Sequence, residues 1–219
     1  MPLSYQSLLN YAQAAASYCH LFHLRPKAPL SSTATDDETY IRLAGQHPFT
    51  FLFLDPPGHP ITSYHVAPER LALAATVALG EAARTLPQDR SLRSLTDGNP
   101  AYQAAVHFLN RHRSPQQPPF TLLQVIALEN LDAVSAEYRP FKQLLERLNR
   151  TYKYPVRSAC SFATRNRAVA LTTLFVTHYN FLRPHMALQY RVPIPLPELN
   201  SVATLQGKWT KILELALAA

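Results

Sequence analysis

Acidic residues are scarce in this sequence, six Asp and eight Glu in 219 residues against 21 Lys and Arg. Cysteine is scarcer still. Cys19 and Cys160 are the whole complement, too few for a disulfide framework, which points to a reducing compartment. No run approaches the ~18–20 consecutive apolar residues that cross a bilayer. No basic start followed by an apolar stretch marks a secretory leader at the N-terminus. These absences argue against membrane-spanning, disulfide-scaffold and fibrous classes. With 47% hydrophobic residues, the chain has the material for a true core, and the expectation is a globular protein of the cytoplasm.

The positive charge is concentrated. The formal net charge is +7. The segment from Arg139 to Arg167 holds eight basic residues and one acid, Glu146, so it carries the whole excess. A local cationic field of this kind suits a polyanion, because each phosphate contact releases a condensed counterion. Sixteen of the 21 basic residues are Arg, whose planar fork gives two hydrogen bonds to one phosphate. The plainer alternative is a solvated basic helix with no ligand.

Periodicity and turn chemistry give a coarse map. Ser4 to Ser17 reads as a helix, and Arg25 to Asp36, rich in Pro, Ser and Thr, as a linker. Thr39 to Leu43, Pro48 to Leu54 and Ile61 to Val66 read as strands of an antiparallel meander, the last two separated by Pro56-Pro57-Gly58. Glu69 to Thr85 is a helix, Leu92 to Leu95 a short strand, Ala101 to Asn110 a helix and Leu122 to Leu128 a buried strand. A helix beginning at Pro140, which suits a first turn, is expected to run to Tyr154. Another follows from Thr164 to Phe181, then an extended proline-spaced tail, Val192 to Glu198, and a last helix from Lys208. The order β-β-β-α-β-α-β-α-α predicts an α/β fold, a mixed sheet of about five strands with helices on both faces.

With so few acids, candidates can be enumerated. Asp37 is expected to start the first strand, and Asp97 ends the fourth, followed by Gly98. Glu146 lies mid-helix in the basic segment, with Arg150 four residues on and Lys153 seven residues on, two helical turns along the same face. Three acids at different elements are what a two-metal phosphodiester site requires, since two hard cations need a bridging carboxylate and further oxygen ligands. Asp36 precedes Asp37, which leaves two candidates for the first ligand, and Glu129, Asp132 and Glu137 are rivals for the third. Cys19, His20 and His23 lie within five residues, but with no second cluster they read as ordinary helix positions rather than a zinc site.

Four motifs occur in order: Asp37-Glu38-Thr39-Tyr40; Thr96-Asp97-Gly98-Asn99-Pro100-Ala101-Tyr102; Glu146-Arg147-Leu148-Asn149-Arg150-Thr151-Tyr152-Lys153; and Tyr179-Asn180-Phe181-Leu182-Arg183-Pro184-His185-Met186-Ala187-Leu188. Through them, over about Asp36 to Leu188, the chain resembles the catalytic core of DDE-type transposases of bacterial insertion sequences, relatives of retroviral integrases. The resemblance implies a ribonuclease-H-like fold. It makes Asp37, Asp97 and Glu146 a metal-binding catalytic triad for Mg²⁺ or Mn²⁺. Lys153, with Arg150, Arg147, Lys142 and Arg157 of the basic segment, would contact DNA.

The implied activity is strand cleavage at element ends followed by transfer of the freed 3′-hydroxyl into target DNA. The implied partners are double-stranded DNA and further copies of the chain, at the bacterial nucleoid, with no membrane. The implied layout is a helical remnant of a DNA-binding region plus linker over 1–35, the core over 36–190, and a proline-rich tail with a short helix over 191–219. Such transposases carry a helix-turn-helix before the core, of which only Ser4 to Ala16 resembles a part, so a truncated protein is expected. A hydrolytic nuclease of the same fold and an inactive DNA-binding remnant are the alternatives.

Overall fold

The computed structural model describes residues 4–23, 25, 31, 33–86, 90–125 and 133–218. The chain divides into two compact units, residues 26–161 and residues 1–25 with 162–219.

The first unit is built on a five-stranded mixed sheet. Its strands are β1 (Thr33–Tyr40), β2 (Phe49–Leu54), β3 (Ile61–Ala67), β4 (Arg93–Thr96) and β5 (Thr121–Gln124), in the order β3-β2-β1-β4-β5. β1, β2 and β3 pair antiparallel, while β1–β4 and β4–β5 are parallel. With its helices this is the ribonuclease-H-like arrangement. The expectation for β2 and β3 holds to within a residue, because Phe-Thr-Phe-Leu-Phe-Leu and the Pro-Pro-Gly turn are strong local signals.

β1 differs from expectation. It begins at Thr33 rather than Thr39 and ends at Tyr40, so Asp37 lies inside the strand and not at its start. The segment Thr-Ala-Thr-Asp-Asp-Glu-Thr-Tyr is too polar to announce a strand. It becomes the central one because β2 and β4 satisfy its backbone on both sides. The chain then turns at Ala44-Gly45, both at positive φ, between bridged Leu43 and Gln46, the geometry that tight hairpin turns favour.

Alternation along β2 distributes side chains between the faces of the sheet. Phe51 and Phe53 pack with the alanine-rich inner sides of α2 (Ala72–Arg84) and α3 (Pro100–Arg111), together with Ala75, Ala78, Ala105 and Tyr102. The other face carries Thr50, whose hydroxyl lies 3.1 Å from Tyr152 Oη on α4 (Ala133–Ser158). Helices therefore cover both faces.

α4 starts at Ala133, not at Pro140, and both Pro140 and Pro155 lie inside it. A proline inside a helix costs about 3 kcal/mol. The helix persists through burial of Leu145, Leu148, Tyr152 and Val156 along one side. The strand expected over Leu122 to Leu128 is seen as Thr121–Gln124; its expected end, residues 126–128, lies outside the described residues, as do Glu129, Asp132 and half of the expected linker, whose last four residues, Thr33 to Asp36, belong to β1 instead.

In the second unit α1 (Tyr5–His23), α5 (Arg165–Thr177) and α6 (Leu205–Leu217) form a helical cluster around Cys19, Phe22, Phe181, Leu182 and Ile212. α1 runs six residues past the expected end at Ser17 because Cys19 and Phe22 are drawn into this core. α5 passes into one π-helical stretch, His178–Leu182. Cys19 is fully buried and His23 hydrogen-bonds Thr177 at 3.0 Å, as packing positions do. No helix among the described residues is long and apolar enough to cross a membrane.

Candidate active site

The 60-residue spacing between Asp37 and Asp97 is the register of the parallel pair. Thr33 sits beside Arg93, Ala34 beside Ser94, and Thr35 beside Leu95. Continuing the same offset places Asp97, one residue past β4, beside Asp37 on the same face. β1 is also where the strand order reverses, with β2 and β3 on one side and β4 and β5 on the other. Such switch points at the carboxyl ends of strands open a crevice for ligands. Asp97 is kept open by the turn that follows: Asn99 N donates to its Oδ1 at 3.0 Å, and Asn99 then caps α3 by accepting from Ala101 N.

Three carboxylates converge there. Asp37, Glu38 and Asp97 each offer an oxygen within 4.8 Å of the others. Asn149 Nδ2 of α4 donates to Asp37 Oδ2 at 3.0 Å, and Glu38 N donates to Asp37 Oδ1 at 2.9 Å. Glu38 accepts from Asn99 Nδ2 at 2.7 Å and from an Arg70 Nη at 3.1 Å; the same guanidinium nitrogen lies 3.7 Å from Asp97. The Glu38 side chain is 1% exposed, that of Asp97 41%. Glu38 thus sits behind, locked by Arg70 and Asn99, and Asp97 faces outward.

Electrostatics follow from the crowding. Burial raises the Asp37 carboxyl above its ordinary range and Asp97 adds to the rise, while Lys142 and Arg70 oppose it. Burial likewise raises Glu38, against Arg70 and Asn99. Both acids are held in a place that disfavours their charge, which a bound cation would relieve.

The ambiguity between the adjacent aspartates has a structural answer. Asp36 points to the α3 side, is fully buried, and accepts from Ser94 Oγ at 2.8 Å. Burial pushes its pKa up to about 8, against the opposing pull of Tyr102, Ser94 and Lys142. Burial favours its neutral form, and Asp37 is the one that meets Asp97.

Glu146 is not among the converging carboxylates. It lies on α4 and is exposed, between Lys142 and Asn149 on the same face of the helix by their spacing. Both neighbours touch β1: Asn149 through Asp37, and Lys142 through its Nζ on the Asp36 carbonyl at 3.4 Å. Glu137 is likewise exposed and outside the cluster. Of the basic residues expected at DNA, Arg147 and Arg150 are exposed on α4, whereas Lys153 and Arg157 line a cavity with Tyr40 at the end of β1.

Sequence reasoning did not single out Glu38, Arg70, Asn99 or Asn149 as site residues. Strand alternation sends Glu38 to the opposite face from Asp37, so nothing in the local sequence pattern puts its carboxylate near those of Asp37 and Asp97. Arg70 lies in the connection between β3 and α2, and nothing local marks it. Asn149 could have been found by the helical-face argument that linked Glu146 with Lys153.

The donor set fits a hard divalent cation, for which carboxylate oxygens are the usual ligands. Beside it, Asn149 Oδ1 is buried and has no hydrogen-bond partner among the described residues. An orphaned buried acceptor next to a carboxylate cluster is a place for a hydrated ion.

Residues 134–193 match the integrase core domain family. A chain of the simian T-cell lymphotropic virus intasome, in complex with PP2A regulatory subunit B56 gamma, superposes with a TM-score of 0.50 at 18% identity, covering 81% of this chain and 62% of that one. The HTLV-2 integrase catalytic core domain in complex with magnesium, in a dimeric form, gives 0.48 at 14% identity over 77% and 96%. The chain therefore spans under two thirds of the intasome chain. No curated protein matches the sequence. The family match spans α4 and the segment after it, and the likeness to the solved structures is one of fold.

Proposed function

We propose that this integrase-type core is the catalytic part of a bacterial insertion-sequence transposase, cutting and joining DNA with Mg²⁺ or Mn²⁺. The observation that carries the reading is the convergence of Asp37, inside β1, with Asp97, just past the carboxyl end of the parallel strand β4, where the order of the sheet reverses. In this reading Asp37 and Asp97 hold the cation, and Glu146 completes the set from α4, which Asn149 docks on Asp37. A bound divalent cation supplies charge stabilisation to the attacking and leaving oxygens of a phosphodiester. Lys142, beside the carboxylates, and Arg147, Arg150, Lys153 and Arg157 along α4 hold the DNA phosphates in register.

In the first step a water oxygen attacks phosphorus and the bond to the 3′-oxygen breaks, freeing a 3′-hydroxyl. In the second that hydroxyl attacks a target phosphorus and displaces the target strand's own 3′-oxygen, so one phosphodiester bond forms as one breaks and the joining step consumes no water. Two DNA segments must be held at once, and self-association of the core at the nucleoid is part of the proposal.

The test combines a duplex with a free 3′-hydroxyl end, a supercoiled plasmid and Mn²⁺, for the native chain and for Asp97→Asn. Joined products are expected from the native protein. The variant should lose at least about 10³-fold in rate, since metal stabilisation of the transition state is worth several kcal/mol. It should bind DNA as before, because a metal ligand and not a phosphate contact has been changed. Cleavage without joining would make the protein a nuclease. Binding without chemistry would make it a remnant, and equal activity in the variant would reject the site.

A further inference from the structure

The carboxylate cluster already contains one permanent cation. Arg70, in the connection between β3 and α2, places one guanidinium nitrogen 3.1 Å from Glu38 Oε2 and 3.7 Å from Asp97 Oδ2. Its Cζ lies 5.7 Å from the centre of the Phe49 ring, at the start of β2. Glu38 is held in turn by Asn99, and its side chain is almost wholly buried. A buried acid and an aromatic face thus grip the guanidinium, while 43% of the Arg70 side chain stays open. At 3.7 Å the Asp97 contact is too long for a hydrogen bond, so Asp97 Oδ2 keeps its lone pairs for another ligand.

A two-metal site sets two dications about 3.5–4 Å apart around shared carboxylates. Here the two sides of the cluster are unequal. Toward α4, Asp37 and Asp97 offer oxygens to a common point, and Asn149 Oδ1 is buried without a partner among the described residues. Toward Glu38, the place is taken by a guanidinium. Charge gives the same count. Ionised, Asp37, Glu38 and Asp97 carry three negative charges, of which Arg70 balances one and a single divalent cation the other two. Glu146, which the proposed function adds from α4, comes with Lys142 one turn earlier on the same helix, so the balance holds. A second dication would enter a set already neutral, against a guanidinium that cannot lose its proton. Displacing Arg70 to make room would leave Glu38 buried and unpaired, which is strongly unfavourable.

We propose that the site binds one divalent cation, between Asp37 and Asp97, and that the Arg70 guanidinium serves in place of a second. The inference rests on the proposed function and specifies how its positive charge is supplied. Arginine suits the position because its planar fork can donate to a phosphate oxygen while another nitrogen stays on Glu38. The reacting phosphate then meets the ion on one side and the guanidinium on the other. Glu38 is the anchor of Arg70 rather than a ligand of the ion, which accounts for an acid so deeply buried beside two others.

Electron paramagnetic resonance of bound Mn²⁺ counts the ions, since two of them about 3.5–4 Å apart couple magnetically and an isolated one does not. The experiment uses the native chain, alone and with a duplex whose 3′ ends lack the hydroxyl, so that no joining intervenes. Ions scattered along the DNA stay uncoupled and do not confuse the count. The native protein is expected to hold one Mn²⁺, lost in Asp97→Asn, and no coupled pair with or without DNA. Arg70→Gln removes the charge, keeps a donor for Glu38, and should admit a second, coupled ion. Arg70→Lys keeps the charge and should hold one. A coupled pair in the native protein, or a lone ion in Arg70→Gln, would overturn the proposal and leave the metal site standing. Mn²⁺ binding undiminished in Asp97→Asn would remove the site itself, and the proposed function with it. Should Arg70→Gln fail to fold, the native spectrum with DNA decides between one ion and two.

Discussion

The two faces of the sheet are covered in different ways, and the contrast locates the chemistry. On one face Phe51 and Phe53 meet the alanines of α2 and α3, a tight apolar layer in which small helix residues let the backbones approach. On the other, α4 buries Leu145, Leu148 and Tyr152, yet it also brings Asn149 and Lys142 onto β1 through polar contacts. The first face can do little but hold the sheet together. The second holds it while leaving polar groups at the crevice, and β1 carries one aspartate to each: Asp36 to the closed layer, Asp37 to the open one.

The largest effect is expected on the closed face. Phe51 is fully buried, with its ring 6.3 Å from that of Tyr102. Phe51→Ala should cost about 3–5 kcal/mol in urea unfolding, the transfer of the ring plus the cavity left behind. Its effect on Mn²⁺ binding to the protein that stays folded should be small. A selective loss of cation binding with stability intact would show that the apolar layer shapes the site directly, and the contrast between the faces would fail.

The next effect separates the two aspartates by pH. The pKa of Asp36 is raised to about 8 in the folded state against about 3.9 unfolded, so the folded state holds its proton more tightly. Stability from this group is fully present below pH ~4 and is lost as pH rises through 8. Asp36→Asn keeps an acceptor for Ser94 and removes the titration. In EDTA, the melting temperature of the variant should exceed that of the native protein at pH 8.5 and the margin should shrink toward pH 4. A margin constant with pH would mean that Asp36 is not a buried neutral acid. Because Asp37 and Glu38 also have raised pKa values, it is the difference between variant and native protein, not either curve alone, that isolates the group.

How much of this was legible beforehand depends on how local the cause is. β2 and β3 could be read because aromatic alternation and a Pro-Pro-Gly turn are local signals. β1 could not, because a polar segment becomes a central strand only when neighbours on both sides claim its hydrogen bonds. The same limit governs the site. Asp37 and Asp97 were legible as a spacing, which the fold turns into a register of parallel strands. Glu38 and Arg70 were not, since their contact needs β1 and the approach to α2 to be side by side. Pro140 misled the reading of α4, since burial along Leu145, Leu148 and Tyr152 outweighs the proline's local preference for a first turn.

The smallest effect on stability should come from Asn149, and the reason lies in two terms of similar size. Its amide donates to a carboxylate at 3.0 Å, and a hydrogen bond to a charged group contributes about 1.5–3 kcal/mol. Its Oδ1 is buried without a partner among the described residues, which costs about 1–3 kcal/mol. Asn149→Ala removes both at once, so the unfolding free energy from urea titration should change by no more than about 1 kcal/mol in either direction. Mn²⁺ affinity should nonetheless change, because Asp37 loses the group that fixes its rotamer and α4 loses its hold on the crevice. A destabilisation as large as that of Phe51→Ala would mean that the polar contacts of α4 carry the fold as the alanine layer does. An unchanged Mn²⁺ titration would mean that α4 stands beside the carboxylates without serving them.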